Sequence, residues 1–91
     1  MNETDRDDRE LLHELIKYID GLISTCRGDL HELNDISRQL RAAKLAGRLS
    51  DIHYTVDQER VQRTLYKCKH IILTLLTQRQ RAIGMLKELQ A

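Results

Sequence analysis

The 91-residue chain contains no proline, no tryptophan and no phenylalanine, and its only aromatic residues are three tyrosines. Without proline, no residue is obliged to interrupt a helix. Because aromatic residues favour strands and are nearly absent here, a sheet is disfavoured. Leucine and isoleucine must therefore fill the core, and the composition predicts an all-α fold.

Cysteine and histidine are too few and too scattered for a disulfide framework or a metal site. Cys26 and Cys68 are far apart in sequence, and no Cys-x-x-Cys occurs. The histidines lack the spacing of zinc ligands; they are His13, His31, His53 and His70. We expect two reduced, structural cysteines, no cofactor and no metal.

The chain begins with polar and acidic residues and has neither a basic segment nor an apolar one near Met1. A secretory signal needs both. Together with the two cysteines, this predicts an intracellular location, cytoplasmic or nuclear.

Two long apolar stripes predict one domain, residues 1–91, made of two helices. The first stripe steps by three and four residues, as a helix requires; it comprises Leu12, Leu15, Ile19, Leu22, Cys26, Leu33, Ile36, Leu40 and Ala43, with Asp29 as a polar gap. It predicts a helix over about 6–46, ended by Gly47.

The second stripe predicts a helix over about 56–90. Thr55 and Gln58 have the spacing of a capping box at its start. The stripe comprises Val61, Leu65, Cys68, Ile72, Leu75, Ala82, Leu86 and Leu89, with Arg79 as its polar member. The turn is then expected within 47–55.

These elements predict a long antiparallel helical hairpin that resembles a coiled coil and completes a bundle with partner helices. Reflection about the turn places position i near position 102 − i, which brings Asp20 within reach of Arg79 and keeps the cysteines too far apart to bridge. The alternative is a three-helix bundle with a break near Gly28, since Gly28 can end a helix and Asp29 can begin another.

The run 71–76 is apolar on more sides than one neighbouring helix covers. A helix that is apolar all round is usually buried all round. We therefore expect a protein partner, in a homodimer or a hetero-complex, at Ile71, Leu73, Leu76 and Ile83. The predicted function is that of a non-catalytic adaptor or scaffold subunit of an intracellular complex, with no membrane association.

Charge is distributed unevenly, and this supports an alternative function. Residues 1–55 carry eleven acids and eight Lys/Arg, whereas residues 56–91 carry three and seven. Five basic residues share the outer side of the second helix: Arg60, Arg63, Lys67, His70 and Arg81. Such a side is typical of a solvated surface, and the alternative is a nucleic-acid-associated subunit.

A third hypothesis comes from the stretch Asp57-Gln58-Glu59-Arg60, which follows a long helix and a loop. This arrangement resembles the small all-α chorismate mutases. The resemblance implies that Arg38, Arg48, Asp57 and Arg60 hold the places of family site residues. Val61 stands where the family has glutamate, and we do not carry the activity over to this chain.

Overall fold

The computed structural model describes residues 3–90, with side-chain environments from residue 6 onward. Helix α1 spans Glu3–Leu45 and helix α2 spans Asp51–Gln90. The two helices pack against each other as an antiparallel hairpin measuring 68 × 15 × 14 Å. The predicted all-α hairpin is confirmed, and Gly28 lies inside α1.

The end of α1 is fixed by Gly47, as the sequence predicts. Gly47 has a φ of 73°, and its N–H donates to the carbonyl of Lys44 at 3.0 Å. The N–H of Arg48 donates to the carbonyl of Ala43 at 2.9 Å. These two bonds form a Schellman motif, which satisfies carbonyls left open at a helix end.

The start of α2 differs from the prediction. Ser50, and not Thr55, is the N-cap: its Oγ accepts a hydrogen bond from the N–H of His53 at 3.2 Å. The N–H of Tyr54 then donates to the Ser50 carbonyl as the first helical bond. A serine followed by Asp51 is a strong helix start in its own right. The turn is therefore limited to residues 46–50.

An earlier start of α2 shifts the pairing of the two helices. Leu12 packs with Leu86, and Ile23 packs with Leu75. Position i thus lies opposite position 98 − i, not 102 − i. Cys26 and Cys68 then fall in neighbouring layers, closer than predicted, and both are free and half-buried.

The stripe of α1 that contacts α2 is also corrected. Five of the predicted positions are right, whereas Leu15 and Ile36 are displaced by one residue because the steps run four-three and not three-four. Leu22 is half-buried and packs against the core cluster beside Ile23. The contacting positions are Leu12, Ile16, Ile19, Ile23, Cys26, Leu30, Leu33, Ser37 and Leu40. Leu30 fills the place of the expected polar gap at Asp29.

The core between the helices is thin. Its buried apolar residues are Leu12, Ile19, Ile23, Val61, Leu65, Leu75, Ala82 and Leu86. None of the described side chains is completely enclosed. The Cα radius of gyration is 20.3 Å, against about 12 Å for a compact domain of this length. Two helices alone leave most of each helix surface in solvent.

Candidate protein-interaction surface

The hairpin has two long sides, and each carries a shallow groove between the helices. On the first side, groove residues precede core positions by one, as Leu15 precedes Ile16 and Ile71 precedes Ile72. On the second, they follow core positions by one, as Asp20 follows Ile19 and Leu76 follows Leu75. Each residue turns a helix by about 100°, so these two sets point in opposite directions.

We call the first side the leucine groove. Near the open end of the hairpin it is lined by Leu11 and Leu12 of α1 and by Met85 and Leu89 of α2. Towards the turn it is lined by Leu33, Ile36, Thr64 and Cys68, with Asp29 and Glu32 at its edge.

Large apolar side chains are left in solvent along this groove. Leu11 is 66% exposed, Met85 55%, Ile71 48% and Leu15 46%. Tyr18, one turn beyond Leu15, is also exposed. Exposed apolar residues are common singly, but a contiguous row of them indicates an interaction surface.

We call the second side the Arg79 groove. It is lined by Asp20, Ile23, Ser24, Arg27, Leu76 and Arg79. The Arg79 Nε donates to the Asp20 carboxylate at 2.7 Å, which matches the contact expected from the sequence. The groove is more polar than the leucine groove, and its apolar lining comes from Ile23 of α1 and Leu76 of α2.

The predicted partner residues divide between the two sides. Ile71 lies on the leucine groove. Leu76 lines the Arg79 groove, with Ile83 seven residues on, and Leu73 lies beside them at 63% exposure. The apolar run 71–76 therefore presents two surfaces, and a single flat partner does not cover both.

The predicted basic residues do share one side, and it is the leucine groove. Arg60, Lys67 and Arg81 each lie four residues before a groove position of α2, which is one helical turn. Arg63 and His70 lie next to them, farther from the groove. All five are exposed.

Six acids of α1 lie on the same side as these bases. Glu32 and Asp29 line the groove edge near the turn, and Asp8 lines it near the open end. Asp7, Glu14 and Asp35 lie just outside them. No Lys or Arg occupies a groove or outer-edge position of α1 between residues 6 and 45. The sequence showed that the first half of the chain is more acidic than the second. Only the corrected pairing of the helices shows that the acids of α1 and the bases of α2 border the same groove.

The residues that resemble a chorismate mutase site are not joined by the fold. Arg38 pairs with Asp35 of its own helix, and Arg48 is exposed in the turn. Asp57 and Arg60 lie on the leucine-groove side of α2. Gln58, which lies between them, is engaged by Ser37 across the helix contact.

Within the part of the chain that the structure describes, no three His, Cys, Asp or Glu side chains converge as metal ligands would. Neither helix has, over its described residues, an apolar stretch long enough to cross a bilayer. Comparison of the chain with protein-family models, curated proteins and solved structures gives no match.

Proposed function

We propose that this protein is a non-catalytic helical adaptor or scaffold subunit that acts by assembling with protein partners inside the cell. The observation that supports this most directly is the row of large apolar side chains left in solvent on both sides of a two-helix hairpin. Removing such side chains from water stabilises an assembly by roughly 25 cal/mol per Å² of apolar surface.

The total surface supports the same proposal. The chain exposes 7076 Å², whereas a compact monomer of 10.7 kDa exposes about 5,500 Å². The excess is about 1,600 Å², and a stable protein interface buries about 800 Å² on each partner. An extended hairpin of this kind has ample surface for one partner or two.

Nucleic-acid association is the second candidate, and the exposed bases of α2 favour it. A backbone of phosphates lying on these bases would also approach the carboxylates of Asp29 and Glu32 across the same groove. Like charges at such distances repel. This arrangement favours a partner that carries both charges, which is a protein.

The proposal is tested by measuring mass and binding on the full chain. Sedimentation velocity at micromolar concentration should give a mass above 10.7 kDa, or a chain that becomes stable only with a protein partner. A duplex titration at low and high salt addresses the alternative, because phosphate binding weakens steeply with salt. A stable monomer that neither associates nor captures a protein would refute the proposal.

A further inference from the structure

We propose that the leucine groove is occupied by a second copy of this chain, so that two hairpins pack side by side with their turns at the same end and form a four-helix bundle. This inference rests on the proposed assembly function and specifies one partner and one surface. In the bundle, α1 of each copy lies across α2 of the other, and neighbouring helices run antiparallel.

The apolar residues of the groove match in position. Under the 98 − i pairing, Met85 lies at the level of residue 13 and Ile71 at the level of residue 27. Leu15 and Leu22 of α1 lie between those two levels, and Leu11 lies just beyond the level of Met85, towards the open end. A two-fold axis parallel to the hairpin keeps every residue at its own level, so Leu15 of one copy meets α2 of the other between Met85 and Gln78.

The charged residues along the two edges of the groove determine the orientation of the second copy. Helix α1 carries ten acids and seven Lys/Arg, and α2 carries four and seven. Glu32 lies at the level of Lys67 of the other copy, and Tyr18 at the level of Arg81. Packing α1 against α2 therefore brings acid to base, whereas the reversed arrangement would bring α1 against α1 and Glu32 near other acids. One mismatch remains at the open end, where Asp8 meets Glu88.

Glu32 and Lys67 are available for this contact. Both are exposed. Among the ion pairs formed by the described residues, neither of them takes part. Within α1, Glu32 has the acids Asp29 and Asp35 as helical neighbours, and within α2, Lys67 has Arg63 and His70. In the single chain, neighbouring residues along each edge of the groove repel each other because they carry the same type of charge. The oppositely charged edge of a second copy reduces that repulsion.

The first test is the dimer dissociation constant by sedimentation equilibrium. The wild-type chain should dimerise at micromolar concentration, and Leu15→Asp should raise the dissociation constant by about tenfold or more, since two leucines leave the interface. Leu73→Asp is the matched control, because Leu73 is exposed outside the leucine groove. It should leave the constant within about threefold. Circular dichroism checks that both variants remain helical.

The second test reverses charges and does not depend on the apolar contacts. Glu32→Lys and Lys67→Glu should each raise the dissociation constant by about tenfold, because each reversal acts at two symmetric sites. Each also relieves repulsion within its own helix, so the single chain is not destabilised. The double reversal should restore the wild-type constant to within about threefold.

The third test fixes the orientation. A spin label at Ala46→Cys, with Cys26 and Cys68 replaced by alanine, reports the distance between the two turns. Turns at the same end lie about two helix diameters apart, about 20 Å. Packing in the reversed direction about the apolar stretch of the groove separates them by about 90 Å at 1.5 Å per residue.

The outcomes separate this inference from the proposed function. A wild-type monomer, a long label distance, or equal effects of Leu15→Asp and Leu73→Asp would overturn the homodimer. If that monomer still binds another protein, and Leu76→Glu abolishes the binding, the adaptor function stands without the homodimer. If it binds nothing, both are wrong.

Discussion

Ser37 of α1 and Gln58 of α2 hold each other by two hydrogen bonds across the contact between the helices. The Ser37 Oγ donates to the Gln58 Oε1 at 3.0 Å, and the Gln58 Nε2 donates to the Ser37 carbonyl at 3.0 Å. Ser37 is only 5% exposed. A polar pair within an apolar contact costs stability if it is shifted out of register, so this pair favours one alignment of the hairpin.

Ser37→Ala removes one of these bonds and leaves the Gln58 oxygen without its donor. We expect the free energy of unfolding to fall by about 1 kcal/mol. Replacing both residues, as Ser37→Ala with Gln58→Leu, should recover most of that loss, because neither side chain then carries a polar group. The Tyr54 hydroxyl, which accepts from Gln58 Nε2 at 3.4 Å, loses that long contact but is only half-buried. Urea unfolding of the three proteins measures this; equal stability of Ser37→Ala and the wild type would show that the pair contributes nothing.

The ion pair between Asp20 and Arg79 is expected to contribute little. Its side chains are 50% and 35% exposed, and exposed pairs are worth about 0.2–1 kcal/mol. A double-mutant cycle with Asp20→Asn and Arg79→Gln should give a coupling energy in that range, which falls as salt is raised. A coupling above about 2 kcal/mol would mean that the pair is shielded, for example by a partner in the Arg79 groove.

Gly28 lies inside α1, and a Cβ built on it meets no atom within 4 Å. Gly28→Ala should therefore raise the free energy of unfolding by about 0.5–1 kcal/mol, the penalty of glycine within a helix. Thermal unfolding followed by circular dichroism checks this. A loss of stability would support the three-helix alternative, in which Gly28 breaks the helix.

Gly47 should respond in the opposite direction. A Cβ there also meets no atom within 4 Å, but φ is 73°, a conformation that costs an L-residue about 1–2 kcal/mol. Gly47→Ala should lower stability by about that amount, and Gly47→Asn by less, since asparagine tolerates this region. Equal stabilities of the alanine variant and the wild type would contradict the Schellman turn.

The sequence was sufficient to predict two antiparallel helices, because proline is absent and the apolar stripes are long. It was not sufficient for their register. Thr55 and Gln58 have the spacing of a cap, but Ser50 begins α2, and Gln58 is used across the hairpin. Residue i therefore pairs with residue 98 − i and not with 102 − i. This shift of four residues determines which charged residues of α1 and α2 lie at the same height along the hairpin. In α1, Leu15 and Ile16 fit a helical stripe equally well, and only the position of α2 selects Ile16.

Leu76→Glu tests the other apolar surface, which a homodimer through the leucine groove leaves open. Leu76 is 37% exposed and lines the Arg79 groove with Arg27 and Arg79. In the free chain, the new carboxylate lies beside two guanidinium groups and in contact with water, so stability should change by less than about 1 kcal/mol.

Against a partner helix, the same carboxylate must lose its water, which costs far more than the lost apolar contact alone. We therefore expect Leu76→Glu to abolish capture of a protein partner while leaving helicity and homodimer mass unchanged. Thr77→Glu is the control, because it adds the same charge at an exposed polar position of α2 that lies two residues from both Leu75 and Arg79 and so belongs to neither groove. Quantitative co-purification of the wild type and both variants from cell extract gives the comparison. If Thr77→Glu loses partners to the same extent, the effect is one of net charge, and the Arg79 groove is not a docking surface.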